Sequence, residues 1–438
     1  LSSDDLEILT NHFYKISISH TPIRETYHHF SLDTIKKIGR ELVNGQSSLS
    51  SISNRKWWNM FVDAGVRYYS VEQISDEEYP IVSTSLIFYS EKDNLERLGE
   101  KEKVTTFHVH LTRKITPIAD FKALLRLYFY FRKTKPAIVH THTPKAGTIG
   151  MLAAKLAGVK IRLHTVAGLP LLEEAGTKRK ILNAVEKLTY ACATKVYPNS
   201  VGLKDIIIQS RFCRPDKLKV IANGSSNGID TEYFSRKHFS EDTLSQLQKQ
   251  LGIQPEDFVF VFVGRLVKDK GINELIQAFC QLPQEQHPVK LLLVGDYESD
   301  LDPLQPNTLT QITSNPNIIS TGFQSDVRPY FCLSHVLVFP TYREGFPNVV
   351  LQAGALDLPG IVTNINGCNE IVVSGKNGLI IPVKEENAIF EAMQFFIHHP
   401  QETIAMKKNA REMIETRYKQ AVVWEAIRQE YQIMEQYV

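Results

Sequence analysis

What most constrains this chain is an alternation. From about residue 136 onward, short apolar runs take turns with segments of helical periodicity. "AIVH" (137–140) precedes "AGTIGMLAAKLAG", and "KIRLHTV" (160–166) precedes a helical stretch through "AVEKLTYACA". "KVYPNS" (195–200) and "KLKVIANG" (217–224) follow. A second series then begins: "FVFVFVG" (258–264), "VKLLLVGD" (289–296), "NIISTGF" (317–323), "VLVFP" (336–340), "GIVTN" (360–364) and "GLIIP" (378–382). Apolar strands separated by helices pair in parallel through right-handed crossovers, which predicts doubly wound α/β sheets. At 438 residues the chain exceeds one ordinary core and suits two domains.

The polar stretch "DTEYFSRKHFSEDTLSQ" (230–246) reads as the connection between them. The expected division is an atypical segment 1–85, a first Rossmann-like domain 86–232 and a second at 233–419. The tail, with apolar residues at helical spacing, forms a helix over 420–438 that packs back on the first domain. Residues 1–85 hold helical fragments and an aromatic patch, "KWWNMF", with no strand, glycine-rich turn and helix in succession.

Composition removes several classes. A hydrophobic content of 43% with 22% charged residues is globular. The net charge of +2 creates no field that would draw nucleic acid. No run of 18 apolar residues predicts a membrane-spanning helix, and the acidic start "LSSDDLEILTNHF" lacks the order of a signal peptide. The cysteines at 192, 213, 280, 332 and 368 have no C-x-x-C spacing and read as reduced, mostly packed thiols of a cytosolic protein.

Ligands of open parallel sheets bind beyond the carboxyl ends of strands. "TYREGFPNVVLQAG" (341–354) follows the strand "VLVFP" at such a place. Pro347 suits the first helical position, where its missing N–H has no intrahelical role. The free amides of Asn348, Val349 and Val350 then form an anion site reinforced by the helix dipole. Gly345 permits close approach, Glu344 accepts hydrogen bonds from hydroxyl groups, and Gln352 both donates and accepts. "GRLVKDKG" (264–271) brings Arg265 and Lys270 off the same sheet edge, a fork and a point charge suited to a diphosphate. The competing reading is a plain strand–turn–helix with solvated surface cations. No Walker sequence is present.

"GRLVKDKGINELIQAF" together with "PTYREGFPNVVLQAGALDLPGIVTNINGCNEIVVSGKNGLIIP" resembles the nucleotide-sugar domain of GT-B-fold retaining glycosyltransferases of family 4. "KPAIVHTHTPKAGTIGMLAAKLAGVKIRLHTVAGLP" and "LTYACATKVYPNS" resemble the family's acceptor-side domain, and the likeness covers roughly 85–438. It points to bacterial enzymes of capsule, O-antigen or exopolysaccharide synthesis. The resemblance implies two Rossmann-like domains facing a cleft, a nucleotide-sugar donor (a UDP-sugar), and a saccharide acceptor linked to undecaprenyl diphosphate. No cofactor and no metal are expected. Asp300-x-Asp302, the one stretch like the metal site of the other common transferase fold, reads as a surface loop.

By the resemblance, Arg265 and Lys270 grip the diphosphate, Glu344 contacts donor-sugar hydroxyls, and the backbone around Gly345, Phe346, Pro347 and Asn348 cradles phosphate and sugar. Gln352 stands where the family has a ribose-binding Glu, which implies a weaker grip because charge assistance is lost. Gly322 and Phe323 flank the base. His142 is assigned as the active-site His near the transferred sugar. His140 is read as strand core, with the two rings on opposite faces. Lys145 and Gly147 open the next helix toward an anionic group, and His164 and Gly168 line the acceptor wall. Asn223 and Asn227 are turn formers or contacts. A non-catalytic nucleotide-sugar-binding protein and a nucleotide-sugar 2-epimerase of similar fold are the rival readings.

"LTRKITPIADFKALLRLYFYFRKTKPA" (111–137) and "TKRKILNAVEKL" (177–188) mix cations with large apolar residues. They fit either solvated helix faces over core residues or docking on an anionic membrane from the cytoplasmic side.

Overall fold

The computed structural model describes residues 105–109, 111, 116–169, 171, 175–283, 288–298 and 302–436, and the backbone of two strands before them. It divides into two compact units. One holds residues up to Tyr197, Ser210–Lys219 and Trp424–Val438; the other holds Pro198–Gln209 and Val220–Val423. Each has a six-stranded sheet.

In the first unit the strands are β1 (Val66–Glu72), β2 (Ile81–Phe88), β3 (Thr105–His108), β4 (Ile138–His142), β5 (Ile161–Val166) and β6 (Lys195–Pro198), ordered β3-β2-β1-β4-β5-β6. This is the doubly wound order, reversing direction between β1 and β4. The β4 and β5 strands pair in parallel, Ile138 opposite Ile161. Strand β1 does not follow the parallel pattern. It runs antiparallel to both neighbours, with Val66 opposite Ile87 and Thr141. Two strands therefore lie in or next to the segment 1–85, where the sequence reading found none. The start of β1, not its end, lies beside the end of β4. The helical fragments and aromatic patch of residues 1–65 lie outside the described residues.

The second unit carries β7 (Phe258–Val263), β8 (Val289–Val294), β9 (Ile318–Gly322), β10 (Val336–Phe339), β11 (Gly360–Thr363) and β12 (Gly378–Ile381), ordered β12-β11-β10-β7-β8-β9. All five pairings are parallel. Phe260, Phe262, Leu291, Leu293, Leu337 and Ile361 are fully buried in its core, as continuous apolar runs in a sheet covered on both faces must be. The order reverses between β7 and β10.

The expected boundary at 232/233 is replaced by several crossings. Residues 230–246 lie inside the second unit, and so does the helix Val201–Gln209. The Glu370 carboxylate accepts from the amides of Val201 (2.8 Å) and Gly202 (3.0 Å), capping that helix. "KLKVIANG" forms only a single bridge, Leu218 to Val196, because the chain changes unit at Lys219/Val220. Among the described residues, no helix is long and apolar enough to cross a membrane. Cys192 and Cys368 are buried and Cys280 is exposed, all as free thiols.

Candidate active site

In the second unit three loops leave the carboxyl edge of the sheet and are knit together. After β7 the chain turns at Gly264 and makes a short 3-10 turn, Lys268–Lys270, ahead of the helix Ile272–Cys280. Gly271 has φ 72°, and a Cβ there would stand 2.1 Å from the Pro340 carbonyl oxygen. No other residue lets the loops after β7 and β10 approach so closely. The Tyr342 amide donates to the Asp269 carbonyl at 2.9 Å, and Arg343 pairs with the Asp269 carboxylate at 2.9 Å. The Tyr342 hydroxyl donates to Glu274 at 2.6 Å. Burial, reinforced by that carboxylate, pushes the phenol's pKa upward.

These contacts bring Lys270 and Glu344 together: the ammonium hydrogen-bonds the carboxylate, and both are largely buried. The pair stands at the reversal between β7 and β10. Asn366, from the loop after β11, donates to the Glu344 carbonyl and to the Gly345 carbonyl at 3.3 Å. Gly367, with φ 78°, lies so close that a Cβ would meet the Gly345 oxygen at 2.6 Å. Sequence reasoning missed Asp269, Asn366 and Gly367; the turn-forming "NING" (364–367) was the available signal.

The helix begins at Asn348, with Pro347 at the N-cap and not inside the first turn (φ −76°, ψ 111°). This corrects the expected start by one residue and leaves the amides of Asn348 and Val349 at the strand end of a helix of eight residues, whereas the Val350 amide, expected to be free, donates to the Pro347 carbonyl at 3.2 Å. Asn348 is exposed, Gln352 is half-buried and Gly345 is buried. Phe346 is buried against Tyr418, ring centroids 5.3 Å apart, so its side chain is an anchor. Arg265 is half exposed and pairs with Glu298, from the loop after β8. Phe323 follows Gly322 (φ 65°), is 71% exposed, and donates its amide to Asp296 at 2.9 Å. Asp302 accepts from the Asp269 amide at 2.7 Å, which gives it a structural task; Asp300 lies outside the described residues.

In the first unit His142 ends β4, half-buried. His140 and His142 do not face opposite ways. Their rings stack at 4.4 Å with an interplanar angle of 29°. Side chains alternate along a strand, so residues two apart share a face. Thr143, next in sequence, has φ 67° and ψ 144°, a region other residues leave to glycine and that collects at functional sites.

The other acceptor-side residues are differently employed. Lys145 pairs with Asp120 at 2.6 Å and donates to Thr116 at 3.2 Å, tying the helix Pro144–Ala157 to the helix Pro117–Thr134. The Gly147 amide donates to the Thr143 carbonyl at 2.8 Å, so it is not open to an anion. Gly147 is needed because a Cβ would come 2.4 Å from His164 Cε1. His164 is 3% exposed, hydrogen-bonded to Thr141 at 2.7 Å, and belongs to the core instead of a wall. Burial lowers its pKa to about 4. Gly168 lies half-buried in the loop after β5. Asn223 donates to the Arg417 carbonyl at 3.1 Å, and Asn227 is buried within a turn of positive-φ residues, Ala222 to Gly228. Both read as turn formers.

Paired Rossmann-like units of this strand order make up the GT-B fold, and solved glycosyltransferases share it. Anabaena HepE, crystallised with UDP, matches with a TM-score of 0.66 at 20% identity, over 80% of this chain and 91% of its own. WaaG, a glycosyltransferase involved in lipopolysaccharide biosynthesis, matches with a TM-score of 0.59 at 15% identity, over 74% and 85%. The family profile described as glycosyl transferases group 1 covers residues 245–413, and the glycosyl transferase 4-like domain covers 67–224. The capsular polysaccharide biosynthesis glycosyltransferase CapM of Staphylococcus aureus is 36% identical over 323 residues, 74% of this chain and 83% of that protein. A UDP-Gal:alpha-D-GlcNAc-diphosphoundecaprenol alpha-1,3-galactosyltransferase of Escherichia coli is 32% identical over 289 residues, 65% and 72%. The chain belongs to the group 1 glycosyl transferases.

Proposed function

We propose that this glycosyltransferase moves a sugar from a UDP-sugar to a lipid-linked saccharide, with retention of anomeric configuration, in the synthesis of a surface polysaccharide. The observation that carries the reading is the Lys270–Glu344 pair at the sheet's reversal point, beside the opening amides of the helix at Asn348. Without donor the two charges neutralise each other. A diphosphate brings two negative charges to the ammonium and to the amides, and Glu344 is then released to accept from sugar hydroxyls. Lys270, Arg265 and the amides meet charge where it grows on the departing phosphate, so no metal is needed for leaving-group departure. The acceptor oxygen bonds to the anomeric carbon on the face the diphosphate leaves, as the carbon–phosphate-oxygen bond breaks. The acceptor's proton passes to a phosphate oxygen, and His142 stands by the transferred sugar.

The undecaprenyl-diphosphate acceptor named for the E. coli relative supports a lipid-linked acceptor here. The first unit has a surface that suits it. Ile118, Phe121 and Phe129 are 77%, 60% and 65% exposed along one stripe of the helix Pro117–Thr134. Helix Pro144–Ala157 packs against that helix and against Gly176–Cys192, which exposes Ile181 and Leu188. The three helices hold ten basic and two acidic residues, a surplus of eight in a chain whose net charge is +2. Exposed apolar side chains on cationic helices bind anionic bilayers, which supports docking on the inner face of the cytoplasmic membrane.

Turnover of donor is the test. A thermal-shift screen of UDP-, GDP- and dTDP-sugars should single out a UDP-sugar, and radiolabelled sugar should pass to a polyprenyl-diphosphate saccharide without added metal. Lys270→Ala should lower the transfer rate by about a thousandfold in protein that still folds, with a lower melting temperature because the Glu344 carboxylate loses its partner; an unchanged rate removes Lys270 from the site. Isomerised donor would mean an epimerase, and bound but unreacted donor a carrier, for which Gln352 in place of Glu speaks. Flotation with anionic vesicles at low salt should carry the protein upward, and failure to float ends the membrane reading.

A further inference from the structure

His140 has no part in the reading above, yet it is the better-held of the two histidines. It is 2% exposed. Its Nδ1 lies 2.6 Å from the Tyr431 hydroxyl and its Nε2 lies 2.8 Å from the Thr165 hydroxyl. A neutral imidazole has one N–H and one lone pair, so one hydroxyl accepts and the other donates. With both nitrogens engaged, the ring plane cannot turn, and His142 lies stacked on that plane at 4.4 Å.

Tyr431 comes from the far end of the sequence, on the helix Gln420–Glu435, whose residues from Trp424 onward belong to the first unit and are fastened there. Glu430, 3% exposed, accepts from the Tyr197 hydroxyl at 3.2 Å and pairs with Lys219. A buried carboxylate with two partners is costly to move, because either partner's loss leaves a charge uncompensated. The adjacent tyrosine hydroxyl is therefore delivered at a fixed place.

We propose that Tyr431 is a positioning residue for sugar transfer: through His140 it fixes the ring of His142. This rests on the reading of His142 as the residue beside the transferred sugar. Thr165, on β5, does the same from the other side of the His140 ring. The arrangement makes the orientation of His142 a property of three chain segments and not of the strand-end loop alone, whose own backbone is strained at Thr143. Orientation of a reacting-site group within a fraction of an ångström is worth a large factor in rate.

Tyr431→Phe removes only the hydroxyl and keeps the ring's packing. It should lower kcat by about tenfold while the donor KM and the melting temperature stay near their original values. The imidazole 15N signals of both His140 and His142 should shift in the full-length protein. A kcat kept within about twofold, or a fall in kcat with the His142 signals unmoved, would overturn the proposal. His142→Ala separates the two readings. If it transfers sugar at the full rate, the site reading falls and the inference with it. If it is inactive while Tyr431→Phe is fully active with unmoved signals, only the inference falls.

Discussion

The two units share a strand order but build their functional ends differently. In the second unit all strands are parallel, and three close approaches at the sheet's edge are backbone to backbone. Gly271 faces the Pro340 carbonyl, Gly367 the Gly345 carbonyl, and Gly295 the Gly264 carbonyl, with a Cβ barred at 2.1, 2.6 and 2.0 Å. In the first unit β1 is antiparallel, and the close approach at Gly147 is to a side chain, His164. The diphosphate-holding role proposed for the second unit calls for fixed amides and a fixed cation. A histidine-bearing strand end needs only fixed side chains, which hydroxyl and imidazole hydrogen bonds supply.

If that contrast is real, Gly271→Ala should have the largest effect. It combines a left-handed φ with a backbone collision and should destabilise the second unit by about 4 kcal/mol. Denaturant unfolding should show it, and UDP should no longer raise the melting temperature. A loss under about 1 kcal/mol would mean that the loops can separate, and the contrast would fail.

Next comes acidification, which bears on each unit through a histidine whose pKa burial lowers. Burial lowers both His164 and His335 to about 4, against 6.5 when unfolded. Each native ring binds fewer protons than the unfolded chain between those values. Its contribution is thus complete above pH 6.5 and is lost as pH falls toward 4. For fully buried His164 the loss reaches about 3 kcal/mol; for half-buried His335 it is smaller. Unfolding followed from pH 7 to 4.5 should lose part of its pH slope in His164→Asn, the share of His335 remaining, and an unaltered slope would place the proton uptake elsewhere.

Gly147→Ala ranks third, at about 2 kcal/mol, because its obstacle is a ring and not a carbonyl. A cost equal to that of Gly271→Ala would erase the distinction between the units. The smallest effect is Gln352→Glu. A restored carboxylate should tighten donor KM by about fivefold, or ~1 kcal/mol, with kcat unchanged. A weakened donor would show that Gln352 faces something other than the ribose.

Much of this was legible in the chain. Six apolar runs in the second half predict β7 to β12 to within a residue or two, because a strand buried on both faces has no polar alternation to hide it. The Lys270–Glu344 meeting joins two stretches read separately at positions 264–271 and 341–354. Other points were not legible. The reading of His140 and His142 as opposed failed on strand periodicity itself. His164 read as a wall residue, since nothing local tells a strand-end histidine in the core from one at the surface. Strands β1 and β2 escaped notice because the expected signal was a glycine-rich turn, and an antiparallel strand needs none at that edge.

The sequence by itself determined the class of fold, the run of strands and helices, and the residue types gathered at the carboxyl edge of the second sheet. These follow from periodicity and from backbone angles that glycine and proline dictate locally. Tertiary structure alone decided which hydroxyls hold His140, that Glu370 caps a helix from the far side of the sequence, and that residues 198–209 join the second unit. Such choices depend on groups 291 and 168 residues apart meeting within 3.0 Å, and no local pattern records which partner a buried polar atom will find.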